Sequence, residues 1–419
     1  MGKTLPLFIS MASCWLTSSS QTSVDHKNNF ALNLYLNCGS CYDEFVKTEI
    51  KFVNYVRDRH DADVDLLITD QTAGSGGTEF DLFFIGLNKF RQIDDTLKYI
   101  SVAGQTEDET RNELVQLIKI GLMRYVAHTP YALQIQIAGG ETDQDETAFN
   151  AGDDKWKSWV FNLNGNAELS GEKSSLSQNY SVNISVNKTT EKIKIDAGVS
   201  RSYGSSRFTF DDDIIRSSTK SQSVYGQVVK SIHPHWSAGI FGSTGNTTYN
   251  NQNFYATVSP ALEYDVFPYS RSQRKLFTIA WYLAVKHFEY SDTTIYEKIN
   301  ETLFQNRLSL SLAVTQPWGS VSISVFGSHY LNDVLKNHLS FYGSTELRIF
   351  KGLSLNLFIG YELVHDQLSL PKGGASETEV LLHRKEISTS YFLNFNTGLS
   401  YRFGSKYNNV VNPRLNGGG

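Results

Sequence analysis

Two cysteines three residues apart, Cys38 and Cys41 in "NLYLNCGSCYDEF", carry the redox spacing of this chain. An apolar run precedes them and a helical pattern follows, so a thiolate here would gain from a helix amino terminus. Asn37 stands where thiol oxidoreductases usually carry an aromatic residue, and no proline between residues 42 and 129 is present to form a cis-proline loop beside the pair. The reading is a structural disulfide, not a catalytic thiol. His233 and His235 flank Pro234 in a tight turn with no third ligand nearby, so no metal site is expected. Asp211, Asp212 and Asp213 could attract a cation but read better as a solvated loop tip. "TAGSGGT" lacks the lysine of a phosphate loop and reads as a hairpin turn. Ser328, His329 and Asp333 have hydrolase residue types, yet neighbours on a strand point to opposite faces, so Ser328 and His329 cannot act as nucleophile and base. No catalytic residue and no cofactor are assigned.

What must position these residues is legible in patterning. "MGKTLPLFISMASCWLTSSSQTS" has a positive start, an apolar stretch too short to span a bilayer and a small, polar cleavage region, giving an export signal over residues 1–21. Cys14 resembles a lipidated cysteine only faintly, because Met11 replaces the usual leucine. No later apolar run reaches the length of about 20 residues that a membrane helix needs. Mild net acidity, −5, excludes a large nucleic-acid-binding face.

From about residue 156 to 405 the period is two. In "RLSLSLAVTQ" the apolar set is Leu308, Leu310, Leu312 and Val314, and "NYSVNISVN" and "GLSLNLFIGYEL" alternate in the same way. About twelve such segments centre near residues 163, 182, 197, 225, 241, 260, 281, 310, 325, 343, 359 and 396. Tight connections ("KTTEK", "IHPHW", "QPWGS", "IFKGL") take turns with longer polar ones ("GSSRFTFDDDIIRSST", "GNTTYNNQN", "SLPKGGASETEVLLHRKE"). That is the habit of a transmembrane β-barrel with short periplasmic turns and long outer loops. Trp236, Phe267, Tyr269, Trp318, Phe350 and Phe403 fall near the tight turns, as an interfacial girdle would. If the apolar set faces lipid, the inward set includes Glu168, Asp196, Glu263, Asp265, Lys286, Glu346, Arg348, Glu362 and Arg402. These charges either plug the barrel as ion pairs or wall a narrow polar channel.

Residues 30–135 read instead as a small α/β module: strands in "FALNLYLN", "KFVNYVRD", "ADVDLLITDQ" and "TEFDLFFIGL", a short helix in "YDEFVKTEI", and one long helix in "EDETRNELVQLIKIGLMRYVAHT" with Leu114, Leu117, Ile118, Gly121, Leu122 and Tyr125 on one stripe. It belongs on the periplasmic side, where the first barrel strand must start. An acidic linker, 136–155, follows it, and residues 406–419 form a periplasmic tail.

The blocks "FVNYVRDRHDADVDLLIT", "GLMRYVAHTP", "HWSAGIFGS", "ALEYDVFPYSRSQRK", "QPWGSVSISVFGSHYLND", "GLSLNLFIG", "LPKGGA" and "YRFGSKYNNVVNPR" resemble an uncharacterised family of outer-membrane β-barrel proteins of Bacteroidetes type. The resemblance spans nearly the whole mature chain. It implies the fold and an outer-membrane location, and brings no activity or catalytic residues. Three functions stay open: a narrow channel or small-solute transporter, an assembly protein whose periplasmic domain binds an envelope partner, and an outer-membrane phospholipid hydrolase. The expected partners are outer-membrane lipid and lipopolysaccharide, with an envelope protein at the periplasmic domain and no nucleic acid.

Overall fold

A computed structural model describes residues 31–135 and 156–411, apart from 40, 75, 103, 211–212, 269–271, 375–385 and 410. The export signal with Cys14, the linker, Asp211, Asp212, Tyr269 and the end of the tail lie outside the described residues.

The first region is a five-stranded mixed sheet in the order β2-β1-β3-β4-β5. Its strands are β1 (Leu32–Cys38), β2 (Val53–Tyr55), β3 (Val64–Thr72), β4 (Thr78–Gly86) and β5 (Asp94–Ile100). β1 pairs parallel with β2 and β3, and the β3-β4 and β4-β5 pairs are antiparallel. A parallel neighbour requires a crossover, and α1 (Asp43–Glu49) supplies it between β1 and β2. The long helix α2 (Glu107–Val126) starts at a capping box: Thr106 accepts the Glu109 N–H, and the Glu109 carboxylate accepts the Thr106 N–H. Leu114, Ile118, Leu122 and Tyr125 recur at helical spacing and are fully buried with Leu66, Leu82 and Phe84. Strand β5 has no counterpart in the sequence reading. Its Asp94, Asp95 and Lys98 disguise an edge strand whose Leu97 and Tyr99 still pack on the core.

The second region is a meander of twelve antiparallel strands. They are β6 (Trp159–Gly171), β7 (Ser175–Thr189), β8 (Ile193–Phe210), β9 (Asp213–His233), β10 (Trp236–Thr247), β11 (Gln252–Asp265), β12 (Lys275–Tyr290), β13 (Asn300–Gln316), β14 (Gly319–Tyr330), β15 (Asp333–Phe350), β16 (Leu353–Val364) and β17 (Tyr391–Tyr401). Each expected centre falls inside one of them. The stretch expected as a long loop at "GSSRFTFDDDIIRSST" is instead mostly strand: β8 and β9 pair out to Phe210 and Asp213, because alternation there continues through Phe208 and Ile215.

In an antiparallel ladder directly opposed residues share a face. Leu308, Leu310 and Leu312 oppose Trp281, Ile279 and Phe277 on β12, and Gly327, Val325 and Ile323 on β14. That face is the exposed one, as Leu308, Trp281, Val258 and Ile240 show, while Ala284, Gln305, Ser259 and Ser340 of the other face are buried. The sheet therefore curls with its polar face inside. Its strand order ends on β6 and β17, and no ladder joins these two among the described residues.

Candidate functional site

Register places all nine charged residues singled out in the sequence on or beside the polar inner face. Asp196 opposes Asn187 and Gln227, Glu263 opposes Ser237 and Ala280, and Glu346 opposes Ser320 and Asn356. Glu168, Asp265, Lys286, Arg348 and Glu362 share that face by the same ladders, opposite Asn179, Thr278, Thr257, Ser354 and Ser340. They are not one network. Glu168 and Asp196 accept hydrogen bonds from Asn179 and Gln227, Lys286 lies 5.9 Å from the Tyr330 ring centre, and Glu362 accepts from Tyr342. Glu346, Arg348 and Arg402 line one cavity, of about 960 Å³, at the tight-turn end.

The floor of that cavity is the α/β module, docked across the mouth. On one side Gly74 approaches the β7-β8 turn so closely that a Cβ there would lie 2.5 Å from Thr189 Cβ. In the middle, the Thr69 hydroxyl donates to Gln273 Oε1 at 2.9 Å, Gln273 Nε2 donates to Glu79 at 2.9 Å, and the Arg274 guanidinium lies 4.9 Å from the Phe83 ring centre. On the far side Arg348 donates to Asn37 Oδ1 at 2.8 Å, and Lys351 of the β15-β16 turn donates to Asp61 at 2.6 Å. One small module touching turns so far apart in strand order is direct geometric proof of the curl. Gly352 has φ of 76°, a left-handed conformation open to glycine, and its N–H donates to Asp58 Oδ2 at 2.9 Å. The chain's tail completes the docking by adding to the free edge of β2: Val56 and Tyr407 form an antiparallel bridge, Arg57 N–H donates to the Lys406 carbonyl at 3.0 Å, and Asn408 N–H donates to the Tyr55 carbonyl at 2.9 Å.

Electrostatics hold the seam together. Partial burial pushes the Asp58 carboxyl up, but hydrogen bonds from the His60 backbone and ring and from Gly352 N–H outweigh it and keep the group below the usual carboxylate range. Behind it, burial raises the Asp65 carboxyl despite Arg59, whose Nε donates to Asp65 Oδ2 at 2.6 Å. The hydrogen bond to Asp61 raises the Lys351 ammonium above its ordinary value.

At the opposite end of the interior, residues 366–370 after β16 turn inward, whereas 375–385 of the expected outer loop lie outside the described residues. Leu368 packs on Leu303 and Tyr330 of the inner face, Asn251 Nδ2 donates to the Ser369 carbonyl at 3.0 Å, and Ile295 N–H donates to the Leu370 carbonyl at 2.9 Å. Asp366 anchors this segment to the wall, its Oδ1 lying 3.1 Å from His338 Nδ1, while His338 Nε2 lies 2.9 Å from Ser340 Oγ and 3.5 Å from Glu362 Oε2. Serine, histidine and aspartate in this order have the makings of a nucleophile relay. Ser340 is fully buried, however, and Asp366 belongs to the segment that covers it, so in this conformation no substrate reaches the hydroxyl. The group ties the segment after β16 to the inner wall. Sequence reasoning missed it, although the spacing "HLS" puts His338 and Ser340 on one face of a strand.

The other chemical candidates resolve locally. Cys38 and Cys41 are disulfide-bonded at the junction of β1 and α1, and Cys41 is buried in the module core. His235 Nδ1 lies 2.6 Å from the Asp265 carbonyl oxygen and its ring stacks between His233 and Tyr264. Ser328 faces inward opposite Arg307 and His338, with His329 on the other face. Trp236, Trp318, Phe350 and Phe403 are exposed at the tight-turn end.

Neither a protein-family model nor a curated protein matches the sequence. Among solved structures, the translocator domain of autotransporter NalP from Neisseria meningitidis aligns at 10% identity with a TM-score of 0.25, covering 58% of this chain and 87% of that one. The beta domain of the Bordetella autotransporter BrkA aligns at 11% identity with a TM-score of 0.25, covering 58% of this chain and 98% of that one. At these scores the likeness carries nothing further, and the fold rests on the strand ladders.

Proposed function

We propose that the protein is an outer-membrane β-barrel, a narrow small-solute channel whose N-terminal domain lies in the periplasm and caps the inner mouth. The inside-out distribution supports the membrane location: Leu308, Val258 and Ile240 face outward where lipid would cover them, and serines, asparagines and charges face inward. β6 and β17 run antiparallel and turn their apolar residues to the same outer face, so they are matched to close the sheet in a bilayer, where each unpaired edge amide costs several kcal/mol. The observation that carries the reading is the module bridging the mouth from the β7-β8 turn to the β15-β16 turn. It makes the resting channel capped, with the tied segment at Asp366 narrowing the other end.

Planar-bilayer recording tests it. The full chain should conduct little, and Lys351→Glu with Lys406→Glu, which set two acids against Asp61, should loosen the cap and raise open-channel events. Silence from both proteins, together with an envelope protein that co-purifies through the module, would replace the channel with an assembly role.

A further inference from the structure

We propose that the mouth cavity is a binding site for a small anion bearing phosphate or carboxylate groups, held by Arg57, Arg348 and Arg402; the assignment rests on the capped-barrel reading above. The cavity is lined by six basic side chains against three acidic ones. Half of the basic groups are already engaged by carboxylates: Arg59 by Asp65, and Lys351 and Lys406 by Asp61. Asp58 is occupied by N–H donors of His60 and Gly352.

None of the three remaining guanidiniums is hydrogen-bonded to a carboxylate among the described residues, although Arg348 acts at longer range on the buried Asp65 carboxyl. Arg57 Nε donates to the Tyr407 carbonyl at 3.4 Å, and Arg348 donates to the Pro317 carbonyl at 3.2 Å and to Asn37 Oδ1 at 2.8 Å while stacking 5.0 Å from the Tyr35 ring centre. Arg402 has no ion-pair partner among the described residues. Arg348 is thus fixed in place by module and barrel together, with no carboxylate hydrogen-bonded to its guanidinium. Planar guanidinium forks match carboxylate and phosphate oxygens two at a time, and a walled cavity focuses their field on whatever enters. Glu346 is the acid left to oppose that field. Its presence weakens anion binding and gives the proposal a signature of opposite sign at a neighbouring position.

Titration calorimetry on the full-length protein in detergent, with inorganic phosphate as the probe, provides the test. Binding should weaken on the order of a hundredfold for Arg57→Gln with Arg402→Gln, each loss removing a charge-assisted hydrogen bond worth about a factor of ten. Arg402→Gln alone, at an exposed side chain, should weaken it in the same direction, and Glu346→Gln should tighten it. A parallel arm with short-chain phosphatidic acid distinguishes sources: preference for it makes the ligand a lipid headgroup, and preference for inorganic phosphate makes it a free solute. Absence of phosphate binding, equal affinity in wild type and Arg402→Gln, or weaker binding in Glu346→Gln overturns the proposal. Phosphate binding with no conductance from the cap-loosened protein would instead sink the channel and leave the site standing.

Discussion

The module and the curled sheet solve opposite problems with the same chain. In the module the large apolar side chains are sealed away, with Phe84, Leu82, Leu114, Ile118 and Tyr125 all fully buried. In the sheet the equivalent residues look outward, and the buried positions belong to Ser259, Gln305, Ser340 and Ala284. Water drives the first arrangement, because apolar area removed from it stabilises the fold. The second is stable only where the outside is itself apolar, so a substitution has a different meaning on each side of the docking seam.

The comparison breaks most sharply at Phe84. Phe84→Ala should cost the module about 3–5 kcal/mol, since it empties the space under α2, and limited proteolysis of the full chain should then cut within the module while the sheet stays intact. Next in size is the outer face. Leu312→Arg places a charge at mid-strand opposite Phe277 and Ile323 and should cost roughly 2–4 kcal/mol in membrane insertion, read as loss of heat-resistant folded protein, whereas Ser311→Arg, opposite Thr278 and Ser324, should insert. Equal effects at the two positions would erase the distinction between the faces. The smallest effect is at the seam. The folded-state carboxyl of Asp58 lies below its unfolded value of about 3.9, so its contribution to docking is complete above that pH and is lost as pH falls through the lowered value. The protection of the Gly352 amide, measured against its intrinsic exchange rate at each pH, should fall over that acid window, and Asp58→Asn should remove it at neutral pH.

The sheet was legible because its signal is local. A strand such as Leu308 to Val314 declares both faces within a few residues, and the ladders then carry that parity from one strand to the next. The limits of strands were less legible: Phe208 and Ile215 keep the period of two close to the acidic tip, so polar composition alone misjudged the hairpin. β5 was hidden for the converse reason, since Asp94, Asp95 and Lys98 belong to an exposed edge. Docking had no local trace at all. Asp58 and Gly352 are ordinary turn residues until the fold sets them 2.9 Å apart, and His338, Ser340 and Asp366 become one group only when the segment after β16 folds inward.

The bridge that the tail forms beside β2 also sets a chronology. Arg57 reaches Tyr407 across 350 residues of sequence and Asn409 reaches Asn54 across 355, so the edge beside β2 stays uncovered until residues 406–409 are in place. Contacts of such separation form late, because the intervening chain must be ordered before they can be made. A truncated chain would carry a folded module with an open edge, free to pair with any extended segment it met. The cap is therefore closed only after the sheet between Trp159 and Tyr401 has been made.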